Sequence, residues 1–332
     1  MTIPTLESLK NRIFNISGHD EFNHLALEIF KYQSVYNKIY LKYLNLLGID
    51  PATITKPEEI TFLPIELFKY HKIVTGSAPT ELKFESSGTT GTSKSKHYVV
   101  DPGLYSSSFI RCFNLFYGSP GKYCILALLP SYLERKNSSL VYMVNQLIQM
   151  SRHKLSGFYL NNLSELSDTL KKLENKRQPT ILLGVSFALV RMAEKYPVHL
   201  EHTIIMETGG MKGQQEEMTR EELHELLRNA FHVKEIHSEY GMTELLSQSY
   251  SKGNGLFHSP PWMKVMIRDT YDPRTYIPEG KSGGINIIDL ANIHSCSFIA
   301  TQDIGKLHTN GGFEVLGRFD SSDTRGCNLM VE

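Results

Sequence analysis

Between residues 82 and 231 short apolar runs alternate with longer amphipathic stretches, a pattern that restricts the chain to a sheet covered by helices. Residues 124–129 and 181–185 are runs without a polar side chain and of strand length, the second opening on Thr180, as expected of strands buried on both faces. Helices are expected between and around such runs. The first begins at Asp101-Pro102, an N-cap followed by proline at the first helical position, and runs to Tyr117. Others are expected over 138–150, 163–173, 187–196 and 219–231, the last opening on the capping-box pattern Thr219-Arg220-Glu221-Glu222. A strand is expected near Leu155 and another over 203–206.

The flanks differ from this middle. Residues 4–47 carry Phe22, Leu25, Ile29, Phe30, Tyr36 and Ile39 at helical spacing, with Gly48 as a stop. Residues 49–80 hold Pro51, Pro57, Pro64 and Pro79, which predicts turns and short helices. After about residue 260, strand-like segments at 264–268, 284–290, 297–301 and 313–317 are separated by Gly, Pro and Asn turns. The expected fold is α/β, with a mostly parallel sheet flanked by helices and a small β subdomain.

With 332 residues and 41% hydrophobic content the chain has ample material for a large core. Lys+Arg and Asp+Glu both number 35, so no overall field favours nucleic acid or an anionic membrane, and nucleic-acid binding is not expected. The N-terminus shows no basic and apolar leader, and the longest apolar stretch, around 180–190, is too short to span a bilayer. The four cysteines have no C-x-x-C spacing, which argues against a disulfide framework or structural zinc. A cytoplasmic protein with reduced thiols is expected.

One segment suggests chemistry. Ser86-Ser87-Gly88-Thr89-Thr90-Gly91-Thr92-Ser93-Lys94-Ser95-Lys96-His97 is almost entirely small, hydroxylated or basic. Glycine N–H groups, hydroxyl donors and lysine charge suit a loop that wraps a polyphosphate, although the Walker spacing is absent. A plain Ser/Gly-rich surface loop is the competing reading. Downstream come Tyr240-Gly241-Met242-Thr243-Glu244, then Thr301-Gln302-Asp303-Ile304-Gly305, then Gly317-Arg318-Phe319-Asp320. In this order the four elements resemble the adenylate-forming superfamily of acyl-CoA synthetases, luciferases and peptide-synthetase adenylation domains, over residues 82–330. Three further stretches are similar to the acyl-protein synthetases of bacterial bioluminescence: residues 129–143, Glu207-Thr208-Gly209-Gly210-Met211-Lys212-Gly213, and Arg325-Gly326-Cys327.

The resemblance implies roles. Ser86, Ser87, Gly88, Thr89, Thr90, Gly91 and Lys94 would hold the outer phosphates of ATP. Tyr240 and Gly241 would lie at the adenine, Thr243 at the α-phosphate, and Glu244 would ligate Mg²⁺, which prefers carboxylate and phosphate oxygens. Asp303 would accept from both ribose hydroxyls, Arg318 would reach the ribose or phosphates, and the backbone of Gly209 and Gly210 would lie beside adenine or the acyl carboxylate. Cys327 would take the acyl group as a thioester. Each has a plainer reading: Tyr240 a packed aromatic, Glu244 a solvated charge, Asp303 an Asx turn, Arg318 a strand-edge cation, Gly209-Gly210 a helix-entry turn, Cys327 an incidental thiol. His237 reads as structural. The superfamily usually continues past its G-R-x-D element with a mobile domain carrying a catalytic lysine. Because Glu332 follows Asp320 so closely, that domain is expected to be absent, with Lys212 a candidate substitute for its lysine.

These readings divide the chain into a helical extension (1–80), an α/β nucleotide- and acyl-binding region (81–260) and a β-rich subdomain with an acyl-accepting tail (261–332). The implied activity is ATP-dependent activation of a carboxylic, expectedly fatty, acid and its transfer to a cysteine, with an acyl-protein reductase or acyl carrier as partner. An acyl-CoA ligase of the phenylacetate-CoA ligase type, and a non-catalytic nucleotide-binding module that docks on a reductase, are the alternatives.

Overall fold

The structure, a computed structural model, describes residues 4–87, 93–130, 136–160, 162–209 and 218–319. Three helices open the chain: α1 (Leu6–Ile13), α2 (His19–Tyr36) and α3 (Lys38–Leu46). A short strand β1 (Leu63–Pro64), the single turn α4 (Leu67–Tyr70) and the hairpin β2 (Leu82–Glu85) and β3 (Lys96–Val99) follow. Strand and helix then alternate as expected: α5 (Pro102–Tyr117), β4 (Cys124–Leu128), α6 (Ser139–Ser151), β5 (Gly157–Phe158), α7 (Leu163–Asn175), β6 (Thr180–Val185), α8 (Ser186–Lys195), β7 (Thr203–Thr208) and α9 (Arg220–Phe231), followed by a strand the sequence did not announce, β8 (His237–Tyr240). The remaining strands are β9 (Ser249–Ser251), β10 (Phe257–His258), β11 (Met263–Arg268), β12 (Ser282–Asp289), β13 (Phe298–Leu307) and β14 (Phe313–Arg318).

Local chemistry explains the helix starts. The Asp101 side chain accepts from the Leu104 N–H at 2.9 Å, with Pro102 leading α5. Thr219 and Glu222 cap α9 reciprocally, the capping box read in the sequence.

All strands but the β2–β3 hairpin join one twelve-stranded sheet, ordered β11-β12-β13-β14-β10-β9-β8-β7-β6-β4-β5, with β1 beside β13. The expectation of a mostly parallel sheet holds from β5 to β8. From β8 through β9 to β11 the pairing along the sheet is antiparallel, while β1 lies parallel to β13. In the parallel half successive side chains face opposite ways. Ile125 and Ala127 join one core with Ile181, Leu183 and Met206, shared with buried residues of α5 and α6. Leu126 and Leu128 join a second with Leu182 and Ile205, beneath α7, α8 and α9. That two-faced burial is why these strands read as continuous apolar runs.

Among the described residues no helix is long and apolar enough to cross a membrane.

Candidate active site

Open α/β sheets bind ligands beyond the carboxyl ends of their parallel strands, and in this sheet several of the motif residues gather at the ends of β7 and β8. Thr208 ends β7 opposite Glu239 of β8, and its hydroxyl donates to the Glu239 carboxylate. Gly209 follows with φ 85°, a backbone that glycine adopts without strain. At Gly241 a Cβ would lie 2.5 Å from Glu239 Oε1, so any larger residue would displace that carboxylate.

Tyr240 ends β8 packed against Phe257 and Phe313, its ring centroid 5.8 and 5.6 Å from theirs. Its hydroxyl donates to Asp303 Oδ2 at 2.8 Å. Burial and the Asp303 carboxylate push the Tyr240 hydroxyl well above its usual pKa, so it stays a donor. Along the sheet four strand steps separate β8 from β13, about 19 Å if the sheet were flat. A direct Tyr240–Asp303 bond therefore requires the short strands β9 and β10 to curl the sheet over the end of β8. Register supplies the third member: Asp303 stands opposite Arg318, whose Nε lies 3.0 Å from Asp303 Oδ1. A register shift falls between Ile304 and Gly305, where a Cβ would come within 2.5 Å of the Glu314 carbonyl. Glycine is what lets β14 close on β13 at that point. Asp303 thus spends one oxygen on Tyr240 and one on Arg318, and an ionised carboxylate, with about four acceptor positions, keeps capacity for two hydroxyls.

Thr243 and Glu244 follow Tyr240 in a loop held from below. His97 Nδ1 lies 2.8 Å from the Thr243 carbonyl, and Asn292 Nδ2 donates to the Glu244 carbonyl at 2.7 Å. Asp289 accepts from the Leu246 and Ser247 N–H groups at 2.8 and 3.0 Å and from the Ser247 hydroxyl at 2.6 Å. The hydroxyl-rich loop springs from the β2–β3 hairpin, closed at its base by Ser86 N–H to the Ser95 carbonyl (3.1 Å) and Ser95 N–H to Ser86 Oγ (3.0 Å). Ser87 and Lys94 are exposed there. Since His97 lies on β3, the hairpin is bonded directly to the Thr243 loop. Gly88, Thr89, Thr90, Gly91, Gly210, Lys212 and Cys327 lie outside the described residues. The other three cysteines are buried, and burial pushes Cys296 up to about 12.

Two buried carboxylates were not singled out in the sequence. Burial raises Glu239 to about 7, opposed by the Thr208 bond and reinforced by Glu207. Burial acts on Glu207 too, but His224 and the Arg220 charge outweigh it and hold that carboxyl below its usual value. The sequence carried little signal for them: Glu207 lies just past the strand expected over 203–206, and β8, which holds Glu239, shows no apolar pattern, so only the structure buries the two charges together. His237, read as structural, lies 3.1 Å from the Tyr117 hydroxyl.

The residues present fit ATP and a hard divalent cation. Mg²⁺ is usually held by one or two carboxylates plus phosphate oxygens, and Glu244 could supply such a carboxylate. Asp303 and Arg318 suit ribose and phosphate.

No family model matches the chain. Over 335 aligned residues it is 20% identical to a long-chain-fatty-acid–luciferin-component ligase of Vibrio harveyi, covering 93% of this chain and 86% of that protein. Among solved structures it superposes on 2-hydroxyisobutyryl-CoA ligase in complex with its acyl-AMP and CoA with a TM-score of 0.64 at 12% identity, over 96% of this chain and 73% of that one. ATP-bound MatB from Rhodopseudomonas palustris matches with a TM-score of 0.55 at 17% identity, over 73% of this chain. The chain spans about half, 49%, of the MatB length. These similarities bear out the resemblance carried by the four motifs, and the fold is that of the N-terminal domains of adenylate-forming ligases.

Proposed function

We propose that this chain activates a carboxylic acid with ATP and passes the acyl group to a thiol. A carboxylate oxygen attacks the α-phosphorus, the bond from that phosphorus to the pyrophosphate oxygen breaks, and acyl-adenylate and pyrophosphate result. Catalysis of such a step is positioning and charge neutralisation. Asp303 fixes the ribose, Tyr240 and the Gly209 backbone flank the adenine, Thr243 meets the α-phosphate, and Glu244 holds Mg²⁺. Ser86, Ser87 and Lys94, with their neighbours in the loop, neutralise the outer phosphates. The thiol of Cys327, as thiolate, then attacks the acyl carbonyl and AMP leaves, giving a thioester for a reductase or carrier. The Vibrio harveyi similarity supports a fatty acid as the substrate. The observation that carries the adenylation reading is the Tyr240–Asp303–Arg318 constellation, which unites motifs 63 residues apart at the mouth of the sheet.

The test incubates the protein with ATP, Mg²⁺ and straight-chain fatty acids from octanoate to palmitate, following pyrophosphate and intact mass. Acid-dependent pyrophosphate release with a hydroxylamine-sensitive acyl adduct is expected. Cys327→Ser should abolish the adduct and leave pyrophosphate release largely intact. Release that leaves no adduct unless CoA is added would make the protein an acyl-CoA ligase, and no release with any acid would leave a nucleotide-binding module.

A further inference from the structure

Two buried side chains hold the backbone carbonyls of Thr243 and Glu244, the two residues that the proposed function sets at the α-phosphate and the metal. His97 is 1% exposed and Asn292 is fully buried. His97 meets the Thr243 carbonyl and Asn292 donates to the Glu244 carbonyl, so consecutive peptide oxygens are gripped from separate elements. His97 comes from β3, the strand that leaves the hydroxyl-rich loop, and its ring is fixed edge-on by Phe68 at 5.8 Å. Asn292 comes from the short turn of helix after β12, one turn beyond Asp289, which holds the Leu246 and Ser247 N–H groups of the same loop.

Asn292 links the two grips: its amide donates to the Glu244 carbonyl at 2.7 Å, and its side chain also bonds to the His97 ring. A small cavity lined by His97, Leu246, Asn292 and His294 lies beside them.

We propose that His97 and Asn292 are positioning residues for adenylation, fixing the Thr243–Glu244 loop against the strand that carries the phosphate-binding hydroxyls. The inference rests on Thr243 and Glu244 acting at the α-phosphate and the metal. By this route the hairpin and the loop move as one unit, and nucleotide phosphates held by the first are presented to the second. Small displacements are costly in such an arrangement because the reacting atoms must meet within a fraction of an ångström.

Double-mutant kinetics of acid-dependent pyrophosphate release test this, with ATP, Mg²⁺ and the fatty-acid panel. His97→Leu, which removes the donor, should lower kcat roughly 10- to 100-fold with a smaller change in the KM for ATP. His97→Asn places an amide N–H where Nδ1 stood and should recover most of that rate. In a Thr243→Ala background, where the hydroxyl to be positioned is gone, His97→Leu should cost less than about 3-fold. Asn292→Leu should behave likewise against Glu244→Gln, and it carries the test if His97→Leu fails to fold. Equal loss in both backgrounds, or no rescue by asparagine in a folded protein, overturns the inference while leaving the adenylation reading standing. Thr243→Ala and Glu244→Gln proteins as active as the wild type would overturn the reading of the motif itself.

Discussion

In the parallel half of the sheet, β4, β6 and β7 send alternate side chains into two apolar cores, and polar groups gather where strands end, at Ser186, Glu207, Thr208 and Glu239. In the antiparallel half polar residues sit within the strands: Asn286 on β12, Thr301 and Asp303 on β13, all buried. Arg268 of β11 runs through them, donating to the Ile285 carbonyl at 2.7 Å, Asn286 Oδ1 at 2.8 Å and the Thr301 carbonyl at 2.6 Å. The parallel half is therefore a platform whose shape follows from packing. The antiparallel half is wired by specific hydrogen bonds, and the candidate site forms where it curls back over the platform. Perturbing the platform should cost stability, and perturbing the wiring should cost ligand affinity.

The largest effect is expected in the platform. Leu182 is fully buried between Leu126 and Ile205 in the ladder, so Leu182→Ala leaves a cavity and should lower unfolding free energy by about 2–5 kcal/mol. Urea unfolding measures it, and calorimetric titration of the folded variant should return the wild-type ATP affinity. A matching loss of affinity would break the division between platform and wiring.

Next comes a pH effect at the strand ends. Glu239, raised from 4.5 to about 7, contributes stability that is fully present below 4.5 and lost as pH rises through about 7. The loss amounts to about 3 kcal/mol by linkage. Glu239→Gln keeps an acceptor for Thr208 and has no proton to lose, so the gap between variant and wild type should widen in its favour over that window. His97 and His237, each lowered to about 4 by burial, act in the opposite sense: their stability is present above 6.5 and lost as pH falls toward 4. The difference between the two proteins cancels them. A gap that is flat with pH would mean that Glu239 is ionised throughout.

In the wiring, Asp303→Ala should weaken ATP binding by about 1.5–3 kcal/mol, the scale of hydrogen bonds to a charged group. It also leaves the Tyr240 hydroxyl without its acceptor, so stability falls as well, and affinity must be read on the folded fraction. Unchanged affinity would remove Asp303 from the nucleotide site.

Which parts were legible in the sequence follows from the same contrast. Strands β4 and β6 and helices α5, α7 and α9 could be read to within a few residues, because packing on two faces writes itself as apolar runs and helical spacing. Strands β8, β9 and β10 could not. His237-Ser238-Glu239-Tyr240 and Ser249-Tyr250-Ser251 carry no apolar alternation, yet nearly all of these residues are buried because their partners come from distant strands and helices. The site motifs were visible as residue patterns, whereas their support was not. Asp289 falls in a segment read only as a strand and Asn292 looks like a turn residue, and only the fold brings them under Leu246 and Glu244.

The smallest expected effect lies at the seam between the halves, at Gly209. Its φ of 85° is one that an alanine adopts at a cost of about 1 kcal/mol, and a Cβ built there meets no atom of the described residues beyond its chain neighbours within 4 Å, so strain sets the expected penalty to stability. Gly241 is the contrasting case: its φ is ordinary, but a Cβ would meet the Glu239 carboxylate. Gly209→Ala should therefore shift the urea midpoint slightly and leave the pH dependence of stability alone, while Gly241→Ala should disturb the Glu239 titration. Under the proposed function the Gly209 backbone also flanks the nucleotide, and the added methyl then weakens ATP binding beyond what stability predicts. If Gly209→Ala binds ATP as the wild type does, the adenine does not lie over that turn, and Gly209 serves only to end β7.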